Sequence, residues 1–330
     1  MTMVMSAAGP AVEASTATAS VLPTFSAPLA AQFRTDLTRA DELGMRPRVF
    51  AKIGDSNTAS FYAFYGLGCR RPMYSGFKGL RAVVDRYTAA TLPQGWPVPW
   101  GVPAPGDCTP GNSFTRYSSA TRSGIQTKDL ARPITAIDVR GAYNLTPNPA
   151  CDVNESMTLC ELKKLRPRYA IISVGTNDEA YWQATGQAAV DRFSMLVDQV
   201  RDFGSIPVLM TLPPRVDSTA ETHHWDYIVE INRAITQVAS TKRVPLVDIW
   251  AAFTAGNMVN YGLESEGGTH LDTIGGWQGP NALNRSVDFR RDALRYGNNR
   301  RNLLLLRTLK VLDRQAGVAT ASRKKHRRRH

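Results

Sequence analysis

The 330-residue chain lacks any apolar run of about 18 residues or more, so no segment reads as a membrane-spanning helix. It has no C-x-x-C pair, and its four cysteines, Cys69, Cys108, Cys151 and Cys160, are not spaced as zinc ligands. No internal repeat and no recognisable nucleic-acid motif is present. No lysine or arginine precedes Arg34, and the first 30 residues, rich in Ala, Ser, Thr and Pro, lack the basic start and apolar stretch of a signal peptide. Their composition is that of a segment following such a signal, and residues 1–36 read as a weakly structured leader. The one excess is positive charge. The formal net charge is +12, but the terminal run Arg323-Lys324-Lys325-His326-Arg327-Arg328-Arg329-His330 supplies six of it. Residues 316–330 therefore read as a disordered basic tail, able to contact an anionic polymer or surface, and not as a specific nucleic-acid element.

What is present is an alternation of β and α patterns within one domain over residues 37–315. Val49–Ile53 reads as a first strand, followed by a helix over Asn57–Leu67. Residues 93–111, with Trp96 and Trp100 among many prolines, read as a long excursion loop. A second helix is expected to open in Gly124–Ala131, while Ile134–Tyr143 fits strand or irregular chain. Tyr169–Val174 is β-branched, apolar on both faces and bounded by Pro167 and Gly175, the signature of a buried parallel strand. A helix over Gln187–Phe203, a strand over Pro207–Leu212, a helix over Thr222–Ser240, a strand over Val244–Ile249 and a last helix over Val287–Gln315 complete the pattern. Such alternation implies a mostly parallel sheet covered on both faces. The even count of cysteines within one loop-rich stretch reads as two disulfides, Cys151–Cys160 as the local one and Cys69–Cys108 as the other, although three pairings are open. Disulfides point to an oxidising compartment and to export.

Chemistry concentrates at strand ends. Gly54-Asp55-Ser56-Asn57 stands directly behind the first strand and delivers a serine hydroxyl to the carboxyl edge of the sheet, where open α/β folds bind ligands. It is not a G-x-S-x-G elbow, because Thr58 occupies the second glycine's place. Gly66-Leu67-Gly68 is not a dinucleotide loop, since Arg71 stands where its third glycine belongs. A serine that cleaves esters needs a base in hydrogen-bond reach and donors aimed at the developing oxyanion. Gly124, after Ser123, offers a backbone N–H with no Cβ in the way. Asn177, in Gly175-Thr176-Asn177-Asp178 behind the second strand, offers a side-chain amide. Of the five histidines, His326 and His330 lie in the tail, and His223 and His224 open a helix in surface or capping roles. His270, in the glycine-rich loop Glu266-Gly267-Gly268-Thr269-His270, is the candidate base. Asp55 and Asp178 read as braces for the loops around the site, and Asp248 as a helix cap.

These four blocks, Gly54-Asp55-Ser56, Ser123-Gly124, Gly175-Thr176-Asn177-Asp178 and His270, in that order over roughly residues 48–275, resemble the SGNH (GDSL-type) hydrolase family. The resemblance implies a three-layer α/β/α sandwich with a flavodoxin-like, mostly parallel sheet of about five strands. It also implies cofactor-free and metal-free hydrolysis of carboxylic esters through an acyl-enzyme on Ser56. His270 would be the base, and Ser56, Gly124 and Asn177 the oxyanion donors. The substrate would be a small-molecule or carbohydrate ester. One departure stands out: the family's D-x-x-H places its acid where this chain has Gly267. Glu266, displaced by one residue, is then the candidate acid, with a Ser–His dyad as the alternative. Acyl transfer to a polysaccharide hydroxyl, or a binding protein with a decayed site, are the other functions such a chain could serve.

Overall fold

The computed structural model describes residues 20–69, 72–93, 95, 111–136, 151–178, 185–265, 267–276 and 282–318. Its centre is a parallel sheet in the order β1-β2-β3-β4, formed by β1 (Arg46–Gly54), β2 (Pro167–Ser173), β3 (Ile206–Met210) and β4 (Leu246–Val247). The register sets Phe50 beside Tyr169, Gly54 beside Ser173 and Met210 beside Val247, so all four strands end at one edge. Every residue of β2 is buried, as its two-sided apolar sequence requires.

Alternate residues along the strands feed two separate cores. Val49, Ala51, Ile53, Ala170 and Ile172 pack with α6 (Met157–Leu165), α7 (Gly186–Phe203) and α8 (His224–Lys242). Phe50, Tyr169, Ile171, Ile206 and Val208 pack on the other face with α1 (Ala27–Glu42), α4 (Arg81–Thr88), α9 (Ile249–Thr254) and α11 (Gly297–Gln315). The result is the three-layer α/β/α sandwich. Short helices α2 (Ser56–Ala59), α3 (Tyr65–Gly68), α5 (Thr127–Leu130) and α10 (Ala282–Ser286) lie in the connections.

Four strands are described where about five were expected. The open edge of β1 is covered instead by residues 113–122, which follow it without forming a regular ladder. Ser113 Oγ accepts from Phe50 N–H at 3.1 Å, Lys52 Nζ donates to Phe114 O at 2.9 Å, and Ser118 Oγ donates to Lys52 O at 2.6 Å. Only at the end does true pairing begin, with Gly54 N–H to Ala120 O and Arg122 N–H to Gly54 O, both 3.0 Å. The segment is locked from behind by the fully buried ion pair of Arg116 with Glu161, whose carboxylate also takes Ser119 N–H at 2.8 Å.

Other boundaries differ as well. The leader's last part is not weakly structured: Ala27–Glu42 is helix α1, because Phe33 inserts into the core against Phe25 and Tyr169. The helix expected over Asn57–Leu67 is broken into α2 and α3 at Phe64, which has a φ of 70°. The last helix begins at Gly297 and not at Val287. Asp248 caps α9, accepting from Ala251 N–H at 2.9 Å. Cys151 and Cys160 form a disulfide, and Cys69 is also disulfide-bonded; its expected partner Cys108 lies outside the described residues. So do Trp96 and Trp100 with nearly all of the 93–111 excursion, residues 137–143, and the tail from 319. No described helix is long and apolar enough to cross a membrane.

Candidate active site

Because the strands end together, the turns that follow β1 and β2 meet at one edge. Behind β1, Asp55 serves as N-cap of α2: its Oδ1 accepts from Asn57 N–H at 3.1 Å and sets Ser56 in the first turn. Asp55 is buried, and burial pushes its carboxyl above the ordinary range, against the lowering effects of hydrogen bonds from Asn57 and Thr176 and the charge of Arg301. Its bonds are those of a brace for the turn.

Ser56 Oγ lies 3.1 Å from His270 Nε2, although the two residues are 214 positions apart. On the other side of the ring, His270 Nδ1 lies 3.1 Å from Glu264 Oε1. Glu264 is reached through a small hairpin. Leu263 and Leu271 form an antiparallel bridge, and Glu264 N–H donates to His270 O at 3.0 Å, so positions 264 and 270 are cross-strand partners. Glu264 Oε1 also accepts from His270 N–H at 3.3 Å, which fixes the carboxylate against both ring and backbone. The hairpin turns through Gly267 and Gly268 at φ of 82° and 56°, in the left-handed region that glycine adopts without strain. A Cβ on Gly268 would stand 2.8 Å from Asp217 N, so the tip also needs glycine to pack on the loop after β3. Glu266, the acid expected from the sequence, lies outside the described residues. The side chain described at Nδ1 is that of Glu264.

The expected oxyanion donors are tied to one another. Asn177 Nδ2 donates to Ile125 O at 3.0 Å, and Asp178 accepts from Thr127 N–H at 3.0 Å, so the Gly175–Asp178 turn carries the Ser123–Gln126 loop. Gly124 there has a φ of 74°. That loop in turn follows the Gly54–Thr121 bridge, which holds it to the end of β1. Asp178 is buried, and burial pushes its carboxyl up to about 6 despite the hydrogen bonds from Thr127 and the Arg192 guanidinium at 3.5 Å. The remaining histidines sit elsewhere. His223 stands half-exposed at the N-cap of α8, while His224 Nδ1 is 3.0 Å from Asp217 Oδ2 beside the buried Arg215.

Three residues of this edge were not found by reading the sequence. Glu264 was overlooked because its partner is set by hairpin register and not by a short motif. Asn57 looks like a turn residue, yet its side chain bonds to the backbone on both sides of His270: Nδ2 donates to Thr269 O at 3.2 Å, and Oδ1 accepts from Leu271 N–H at 3.1 Å. Arg301 looks like a helix-surface residue, yet it is buried and donates to Asn57 O at 2.7 Å. Chemically, the edge presents a hydroxyl against an imidazole whose far nitrogen faces a carboxylate, the arrangement that activates a nucleophile without a metal. Among the described residues, no group of three or more His, Cys, Asp or Glu side chains could hold a metal ion.

Comparison with known proteins agrees with this chemistry at the level of the family. The model of the GDSL-like lipase/acylhydrolase family matches residues 53–276. No curated protein sequence matches. Solved structures similar to the chain include a lipase/acylhydrolase from Enterococcus faecalis, at 14% identity and a TM-score of 0.37, covering 59% of this chain and 74% of the other. A peptidoglycan O-acetylesterase is similar at 11% identity and a TM-score of 0.49, covering 88% of this chain and 97% of the other. A carbohydrate esterase of family 3 from Talaromyces cellulolyticus is similar at 15% identity and a TM-score of 0.45, covering 82% and 99% respectively.

Proposed function

From the premise that this chain belongs to the GDSL-like lipase/acylhydrolase family, we propose that it hydrolyses carboxylic esters through an acyl-enzyme on Ser56. The observation that carries this reading is the relay from Ser56 Oγ to His270 Nε2 and from His270 Nδ1 to Glu264, both at 3.1 Å. His270 Nε2 accepts the Ser56 proton as Oγ attacks the ester carbonyl. Glu264 holds the ring in the tautomer that leaves Nε2 free to do so, and stabilises the imidazolium that forms. The backbone N–H groups of Ser56 and Gly124 and the Asn177 amide take the oxyanion. His270 then returns the proton to the leaving alcohol, and a water activated by the same imidazole releases the acid.

The acyl group in this reading is small, O-acetyl included. The His270 side chain is 41% exposed, which supports a bulky alcohol such as a carbohydrate on the leaving side. The Cys151–Cys160 disulfide supports action in an oxidising compartment outside the cytoplasm. The test is turnover of p-nitrophenyl acetate, butyrate and octanoate by wild type, Ser56→Ala and His270→Ala. Turnover that favours the shortest ester and is lost in both variants is expected. Equal rates in wild type and Ser56→Ala would overturn the reading.

A further inference from the structure

Resting on the assignment of Ser56 and His270 just made, we propose that Asn57 is a positioning residue for the base, held in turn by Arg301 and Asn298 of α11. Asn57 follows the nucleophile directly. Its amide bonds to Thr269 O and Leu271 N–H, the backbone groups flanking His270. One partner is an acceptor and the other a donor, so the amide fits in a single orientation. The nucleophile's neighbour thus sets the height and tilt of the backbone from which the imidazole projects.

The clamp closes into a ring. Leu271 O accepts from Asn298 Nδ2 at 2.7 Å, Asn298 Oδ1 accepts from Arg301 Nη2 at 2.8 Å, and Arg301 Nη1 donates to Asn57 O at 2.7 Å. Asn57, Leu271, Asn298 and Arg301 are respectively 5%, 3%, 1% and 2% exposed. In such burial each hydrogen bond is shielded from water, and losing one partner leaves the other unsatisfied. Arg301 also lies over the Phe64 ring at 5.2 Å, a cation–π contact that adds to its hold. A second contact from Asn298 Nδ2 reaches Thr273 Oγ1 at 3.1 Å and extends the hold beyond Leu271.

A merely structural role would leave the ring orientation of His270 unchanged in any variant that folds. A positioning role would not. An error of about 1 Å in a catalytic contact costs up to roughly a hundredfold in rate. The experiment compares wild type, Asn57→Ala and Arg301→Lys by kcat and KM on p-nitrophenyl acetate, by thermal melting, and by the proton NMR signal of the His270 Nδ1–H. That signal is identified by its loss in His270→Ala. For Asn57→Ala the expectation is a kcat lower by roughly tenfold to a hundredfold, KM moved far less, and a shifted or broadened Nδ1–H signal with cooperative melting retained. Arg301→Lys, which keeps one donor for Asn57 O and loses the link to Asn298, should fall between; it decides the matter if Asn57→Ala does not fold. An unchanged Nδ1–H signal with kcat within about twofold of wild type would overturn the proposal. A wild type that shows the signal but turns over no ester would instead overturn the functional reading, and the NMR comparison would still decide the positioning role.

Discussion

Helix α11 is buried along most of its length, yet its two halves bury opposite kinds of side chain. From Gly297 to Asn302 they are polar. Asn298 and Arg301 close the ring around Asn57, Asn299 donates to Asp288 O at 2.9 Å, and Asn302 donates to Tyr62 O and Ser286 O while accepting from Phe64 N–H. From Leu303 to Leu312 they are leucines at Leu303–Leu306, Leu309 and Leu312, packed on the core that includes Phe50, Tyr169 and Ile171, with Thr308 the one buried polar exception. The cause is what each half faces. The sheet has its backbone groups paired already and presents only side chains, so apolar burial suffices. The first half faces residues 57–64, 271–274 and 285–288, irregular chain and the ends of the short helices α2 and α10, whose free N–H and C=O groups need partners once buried. Asparagine and arginine supply them, and with directional bonds they also fix where that chain sits. One half of the helix holds the fold by area; the other holds the chain around Ser56 and His270 by angle.

Four variants can break or sharpen that contrast. The largest effect is expected at the carboxylate the polar half indirectly serves. Glu264→Gln should lower kcat by roughly 10²- to 10⁴-fold with melting little changed, measured by steady-state kinetics beside calorimetry. Next, Leu306→Ala in the apolar half should cost about 2–5 kcal/mol of stability, read by urea unfolding, while kcat per folded molecule stays at the wild-type value. A large fall in kcat there would dissolve the distinction between the halves. Asn298→Ala should do the converse: about 1–3 kcal/mol lost from the orphaned Leu271 carbonyl, with kcat reduced roughly tenfold.

The smallest effect lies at the edge of β1, where the irregular 113–122 segment is held by Lys52. Burial drives the Lys52 ammonium from 10.5 down to about 7, partly offset by Glu161. Between those values the unfolded chain binds more protons than the folded one. This group therefore adds stability as pH rises from about 7 towards 10, and the contribution is lost as pH falls through 7. The melting temperature of wild type minus that of Lys52→Met should increase across that window. A flat difference would mean the amine is solvated.

Much of this was legible in the sequence, and the reasons for the rest are specific. Strands that end at Gly54 and Ser173 were readable because a short, two-sided apolar run bounded by glycine or proline fits a buried parallel strand and is too short for a buried helix. The partnership of Ser56 with His270 followed from the family resemblance, not from local pattern. Glu264 was not legible because cross-strand pairing through a glycine turn leaves no periodic trace, and Glu266 stands nearer the histidine along the chain. Asn298, Arg301 and Asn302 were hidden because a run of asparagines and arginines opening a helix normally marks a solvated end; here the irregular chain packed on them reverses that. Residues 113–122 could not be read as the cover of the sheet's edge, since serine side chains and a lysine do part of the pairing that backbone would do. Helix α1 was obscured by the composition of the segment before it, and Phe33 is what docks it.

The most direct test of the central claim is to trap the covalent intermediate. Wild-type protein quenched in acid during turnover of p-nitrophenyl acetate would be digested and its peptides weighed by mass spectrometry. The account predicts one acetyl group on the peptide containing Ser56, absent from Ser56→Ala and much reduced in His270→Ala. Ester turnover with no acetyl on Ser56, or with the acetyl on another residue, would contradict it.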